Sequence, residues 1–145
     1  MTESFTPLLT TTDWNDEWMQ LQKARRHCDD ASYWNERAKT FTSKDAPNPY
    51  VNAFLERAGI APGESVFDMG CGSGALAVPL GKAEHAVTAA DFSEGMLSLL
   101  EGALEKHGVT NVRCEQMRWE DDWEAHGIEP KSHDVCTASR SIAVD

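Results

Sequence analysis

Nine consecutive residues, Val66-Phe67-Asp68-Met69-Gly70-Cys71-Gly72-Ser73-Gly74, combine an apolar run, a carboxylate and three alternating glycines. An apolar run with β-branched and aromatic members, bounded by a glycine cluster, predicts a buried parallel strand. Glycine at 70, 72 and 74 removes the Cβ where the backbone must turn sharply and let a ligand approach. Ala75-Leu76-Ala77-Val78 continues with good helix formers, so the loop is expected to open into a helix whose free N–H groups face the turn. Strand, glycine loop and helix make the first half of a nucleotide-type α/β unit.

Downstream the alternation repeats. His85-Ala86-Val87-Thr88-Ala89-Ala90-Asp91 reads as a second strand closed by an acid. Ser93 is placed to cap the next helix, whose apolar positions Met96, Leu97, Leu100 and Leu104 share one face and whose stop is Gly108. Val112 to Met117 reads as the third strand and His133 to Ala138 as the fourth, with Ser139-Arg140-Ser141 at its carboxyl end. The expected class is α/β: a Rossmann-like, mainly parallel sheet of about four strands, helices on both faces, and a helical N-terminal cap.

The cap is expected over residues 1–46 and the Rossmann-like domain over 47–145. From Trp14 to Phe41 the apolar residues fall at steps of three and four, which puts them on one side of a helix. Thr11-Thr12-Asp13 offers an N-cap before it, and Asp29-Asp30-Ala31-Ser32 is a site where it can break and restart. Ser43 to Pro49 is a polar, proline-bearing break. Tyr50, Val51, Phe54, Leu55 and Ala58 pattern a short helix ended by Gly59.

Gly70-Cys71-Gly72-Ser73-Gly74-Ala75 also satisfies the dinucleotide pattern G-x-G-x-x-G/A, with Asp91 about 20 residues downstream for a ribose contact. Asp68 separates the two readings, because a carboxylate beside a pyrophosphate sets like charges together in a poorly solvated turn. S-adenosylmethionine carries an ammonium, a sulfonium and one carboxylate, so its net charge is positive and suits an acidic pocket. The residues resemble motif I and the following acidic motif of the class I S-adenosylmethionine-dependent methyltransferases, matched at every position from Val66 to Gly74. An NAD(P)-dependent oxidoreductase and a non-catalytic cofactor-binding fragment are the alternative readings.

The resemblance implies S-adenosyl-L-methionine as cofactor, its methionine end held by Asp68, Gly70, Cys71, Gly72 and Gly74. Asp91 would accept both ribose hydroxyls with its two oxygens. Phe92 and Met96 would lie against the adenine, although Met96 reads equally well as core. After the third strand the family commonly has a Gly-Asp pair where this chain has Met117-Arg118, which leaves Trp119, Glu120 and Asp121 as possible substitutes for the adenine contact, with Met117 beside them as a further cofactor-binding candidate. Alternatively, Glu120-Asp121-Asp122 are the dipole-complementing start of a surface helix. Ser139, at the carboxyl edge of the sheet, is placed to touch cofactor or substrate. Tyr33-Trp34-Asn35-Glu36-Arg37-Ala38 resembles an element that many small-molecule methyltransferases place ahead of motif I, so Tyr33, Trp34 and Arg37 are lid candidates; the plainer reading is a helix packed on the sheet. No residue is singled out as general base.

With 24 acids against 13 bases the formal net charge is −11, which disfavours a broad phosphate-binding face and so nucleic acid as partner. A small-molecule acceptor is expected, a protein side chain less so. Cysteines at 28, 71, 114 and 136 lack C-x-x-C spacing and read as free thiols, and the scattered histidines offer no metal-site spacing. No run suits a membrane span and Met1-Thr2-Glu3-Ser4 lacks the opening of a signal peptide, so a cytoplasmic protein is expected. The resemblance covers the cofactor half of a seven-stranded sheet, and the chain reads as the N-terminal part of a longer enzyme. If it ends at Asp145, the fourth strand is an edge open to pairing in a homo-oligomer.

Overall fold

The computed structural model of the chain describes residues 12–25, 30–41 and 48–141. Its elements run α1 (Trp14–Arg25), α2 (Ala31–Thr40), α3 (Pro49–Ala58), β1 (Val66–Met69), α4 (Ala77–Lys82), β2 (Val87–Asp91), α5 (Glu94–Lys106), β3 (Val112–Gln116), a 3₁₀ turn (Glu124–His126) and β4 (Val135–Thr137). Cys28 and the break at 43–47 lie outside the described residues.

The four strands form one parallel sheet in the order β3-β2-β1-β4. Parallel neighbours need crossover connections, supplied by α4 between β1 and β2 and by α5 between β2 and β3. After β3 the chain passes to the far side of β1, so the strand order reverses beside β1. In open α/β sheets that reversal leaves a crevice at the carboxyl ends of the strands.

Because side chains alternate along a strand, the sheet builds two cores. Val66, Val87 and Ala89 join Val51 of α3, Leu76, Ala77 and Leu80 around α4, and Leu97, Leu100 and Leu104 of α5. On the other face Phe67, Met69 and Ala90 pack with Met117, Ile128 and the half-buried Trp123. β1 and β2 are buried along their whole length, as expected of central strands, whereas β3 is only partly covered.

Local chemistry accounts for the helix ends. Asp13 accepts from the N–H groups of Asn15 and Asp16, both at 3.1 Å, and so caps α1. Asp30 caps α2 by accepting from Ser32, which makes the predicted interruption a true helix start. Asn48 caps α3, Pro49 takes its first position, and Gly59 ends it in the left-handed region at φ 59°. On α1 the apolar stripe does not meet the body: Trp14, Trp18 and Leu21 are exposed. Periodicity sets which residues share a helix face, but what that face packs against is a tertiary matter.

The helix after the glycine loop starts at Ala77, later than the expected opening at Ala75. Gly74 sits at φ 96°, outside helical space, and its N–H bonds to the Cys71 carbonyl at 3.0 Å. The first helical bond then runs from Val78 N–H to the Gly74 carbonyl at 3.0 Å. A Cβ on Gly74 would collide with the Leu100 side chain and meet Val78 Cγ2 at 3.0 Å. Gly74→Ala is therefore expected to destabilise the fold by about 2 kcal/mol through backbone strain and overpacking. Urea unfolding measures this, and a loss below about 0.5 kcal/mol contradicts the assigned conformation.

Candidate functional site

Asp68 and Asp91 stand near the carboxyl ends of neighbouring strands. Asp68 pairs in register with Ala89, two residues before Asp91, so both carboxylates lie on the same face of the sheet. Both are buried, at 2% and 7% exposure. Thr137 is the register partner of Asp68 on its other side, and its hydroxyl donates to Asp68 Oδ1 at 2.8 Å. Burial pushes the Asp68 carboxyl up from 3.8 to about 6; the Thr137 hydrogen bond opposes the rise and the charge of Asp91 adds to it.

Asp91 knits the glycine loop to the next helix. Its Oδ2 accepts from Gly72 N–H and its Oδ1 from Ser93 N–H, each at 2.9 Å. Burial raises its carboxyl as well, and the N–H groups of Ser93, Gly72 and Phe92 pull it back. Gly70 and Cys71 donate their N–H groups to the Ala90 carbonyl at 2.8 and 2.9 Å, which pins the loop over β2. Gly72, at φ 54°, faces open space: a Cβ there would meet no atom within 4 Å. Burial drives the Cys71 thiol strongly upward, so it stays protonated and acts as packing.

A glycine turn with free space beside it, flanked by two buried carboxylates, can hold a small ligand bearing positive charge and hydroxyl groups. The family model of the methyltransferase domain matches residues 66–144, more than half of the sequence and all of this site. The chain belongs to the methyltransferase domain family.

Over 114 residues, 77% of this chain, it is 32% identical to an uncharacterized protein of Haemophilus influenzae, of which it covers 41%. Over 79 residues, 54% of the chain, it is 34% identical to a Geobacillus protein provisionally described as a methyltransferase, of which it covers 32%. This methyltransferase-family chain thus spans less than half the length of the curated relatives it matches. Among solved structures, a Methanococcus maripaludis protein provisionally described as an S-adenosyl-L-methionine-dependent methyltransferase superposes with a TM-score of 0.59 at 21% identity. That alignment covers 78% of this chain and 51% of the other, and it is a likeness of fold. The architecture is that of the class I S-adenosylmethionine-dependent methyltransferases.

The other residues singled out in the sequence are distributed around this methyltransferase core. Phe92 is half-buried, and its carbonyl accepts from Gln116 Nε2 at 3.3 Å. Met96 is buried in the first turn of α5. Met117 is buried in the core of the opposite face, with its N–H on the Asp91 carbonyl at 3.0 Å. Trp119 is exposed and lies 5.8 Å from the Trp123 ring, and Glu120 is exposed beside it. No α-helix starts at Glu120; Asp122 Oδ1 instead accepts from Glu124 and Ala125 N–H at the start of the 3₁₀ turn. Ser139 Oγ lies 2.7 Å from the Tyr50 hydroxyl, and the Arg140 guanidinium stacks 4.2 Å from the same ring. On α2, Trp34 is half-buried, while Tyr33 meets its edge at 5.4 Å and Arg37 lies 5.8 Å from its centroid.

Three contributors escaped the sequence reading: Thr137 on Asp68, Tyr50 on Ser139, and Asn35, which reaches the start of α5. Each acts across dozens of residues, and no local pattern marks them. An open cavity of about 480 Å3 on the opposite sheet face, lined by Phe67, Trp123, Ile128, His133 and Cys136, contains neither acid. Among the described residues no cluster of His, Cys, Asp and Glu is arranged for a metal, and no helix is long and apolar enough to cross a membrane.

Proposed function

We propose that this chain is the cofactor-binding part of an S-adenosylmethionine-dependent methyltransferase whose acceptor is a small molecule. One observation carries the reading: two buried carboxylates, Asp68 and Asp91, share a sheet face at the strand ends beside an open glycine turn. A diphosphate laid along that turn would meet the like charge of Asp68 with little solvent to screen it. S-adenosylmethionine, when bound, supplies an electrophilic methyl group on its sulfonium.

In this reading Asp68 faces the ammonium of the methionine end, the 70–74 backbone supports it, and Asp91 takes the ribose hydroxyls with its two oxygens. Phe92 and Met96 flank the adenine from the start of α5, and Trp119 and Glu120 approach it from the turn after β3. Met117 supports that turn from within the core. Ser139, held by Tyr50, lies toward the acceptor side. In this reading α2, docked on α5, is the described part of the cap, and its Tyr33, Trp34 and Arg37 belong to the lid that excludes water and holds the acceptor in line. The net charge of −11 supports a small acceptor over nucleic acid. Buried or half-buried free thiols at Cys71 and Cys114 suit a reducing cytoplasm.

The test is a thermal-shift comparison of S-adenosylhomocysteine with NAD. A ligand at about ten times its Kd stabilises the folded state by about 1.4 kcal/mol, which raises the melting temperature by roughly 3–6 °C. S-adenosylhomocysteine is expected to give that rise and NAD none. The reverse result overturns the reading. Label transferred from the methyl donor to small metabolites, and not to RNA, supports the acceptor class.

A further inference from the structure

We infer that Asn35, on the N-terminal helix α2, is a positioning residue that couples docking of α2 to the shape of the cofactor site. The inference rests on the cofactor reading above and assigns a role that lies outside the glycine motif.

Asn35 Oδ1 accepts two hydrogen bonds from the start of α5, from Ser93 Oγ at 2.7 Å and from Gly95 N–H at 2.9 Å. A backbone N–H can only donate, so the atom facing Gly95 is the amide oxygen. Ser93 is fully buried and makes three bonds: its hydroxyl donates to Asn35, its Oγ accepts from Met96 N–H at 3.1 Å, and its N–H donates to Asp91 Oδ1. By accepting the Ser93 hydroxyl hydrogen bond, Asn35 turns the Ser93 lone pair toward Met96 N–H and locks the helix cap. The locked cap aims Ser93 N–H at Asp91, whose other oxygen holds Gly72 in the loop. A continuous path of hydrogen bonds therefore joins α2 to the ribose acid and the glycine turn.

The backbones are close enough for the path to be specific. A Cβ on Gly95 would sit 3.0 Å from Ala38 Cβ and 3.1 Å from Asn35 Cα. Ala38 is the buried residue of α2. The helix thus lies close against the start of α5, with the Ala38 methyl and the Asn35 amide oxygen at the contact. Loss of that oxygen leaves the Ser93 hydroxyl and the Gly95 N–H without their acceptor, and the cap is free to rotate away from its bond geometry. Coupling of this kind is reciprocal: if docked α2 tightens the cofactor, bound cofactor holds α2 down by the same factor.

The experiment combines calorimetric titration of S-adenosylhomocysteine with hydrogen exchange over residues 31–40. In the wild type the ligand is expected to slow exchange in α2 several-fold. Asn35→Ala is expected to weaken binding about tenfold and abolish that protection. Asn35→Asp, which keeps an acceptor oxygen for both donors, is expected to recover most of the affinity, whereas Asn35→Leu, of similar size but with no acceptor, is expected to bind as weakly as Asn35→Ala; full recovery in Asn35→Leu would assign the effect to packing and overturn the inference. Lys39→Ala, on the exposed Glu36 pair of the same helix, serves as the unchanged control. Wild-type affinity in Asn35→Ala, or no change in α2 exchange on binding, overturns the inference and leaves the cofactor reading standing. If Asn35→Ala does not fold, wild-type exchange and the Asn35→Asp titration decide. Absence of any binding by the wild type rejects the cofactor reading itself.

Discussion

Asp91→Ala is expected to bind S-adenosylhomocysteine roughly 150-fold more weakly than the wild type, a loss of about 3 kcal/mol. The figure is two hydrogen bonds to a charged acceptor at about 1.5 kcal/mol each. The two oxygens of Asp91 accept backbone N–H groups from Gly72 and from Ser93, and in the proposed reading they also take the two ribose hydroxyls. Alanine removes both, and it also frees the glycine loop from the α5 cap. Asp91→Asn does not restore the site, because its amide NH2 would point at one of two backbone donors. Isothermal titration at constant ionic strength reads the effect. An affinity within threefold of the wild type contradicts the ribose role assigned to Asp91.

The second large effect concerns pH and Asp68. The carboxyl titrates near 3.8 when exposed and at about 6 in the fold, chiefly because burial disfavours its charge. The folded state therefore holds the proton more tightly than the unfolded one. The stability this group contributes is full below about pH 4 and is lost as pH rises through 6, about 3 kcal/mol in all. Asp68→Asn removes the titration while keeping an oxygen for the Thr137 hydroxyl, so the ligand-free variant is expected to be more stable than the wild type at pH 7. Function runs the other way. A cationic ligand requires the ionised carboxylate, so affinity for S-adenosylmethionine is expected to rise about tenfold between pH 5 and pH 7 in the wild type and to stay flat in Asp68→Asn. Urea unfolding and titration across that range test both arms. A pH-independent wild-type affinity contradicts contact between Asp68 and the ammonium. In the proposed reading, the cost of ionising the buried acid and its attraction for a cationic donor have the same physical origin, a charge held away from water until a counter-charge arrives.

Much of this site can be read along the chain. Asp68, the glycines and Asp91 occupy neighbouring strand ends, and Ser93 caps α5 with Met96, Leu97, Leu100 and Leu104 buried beneath it. These features obey short-range rules: alternation along a strand, 3.6-residue spacing on a helix, and a side-chain oxygen over the first free N–H groups. Boundaries moved where local conformation overrode helix propensity, as at Gly74, whose positive φ delays α4 to Ala77. The exposed tryptophans of α1 show the limit of periodicity, since a stripe says which residues lie together and not what covers them.

By itself, then, the amino-acid order determined the parallel strands, the acid-glycine-acid motif and the capped helix, because each depends on backbone sterics and side-chain period within a few residues. The tertiary structure alone decided which distant groups complete the site. Thr137 reaches Asp68 across 69 residues because β4 returns beside β1, and Asn35 reaches Ser93 across 58 because α2 folds onto the start of α5. Strand order and helix docking are set by how whole elements bury their faces against one another, a balance that leaves no mark in any single stretch of sequence.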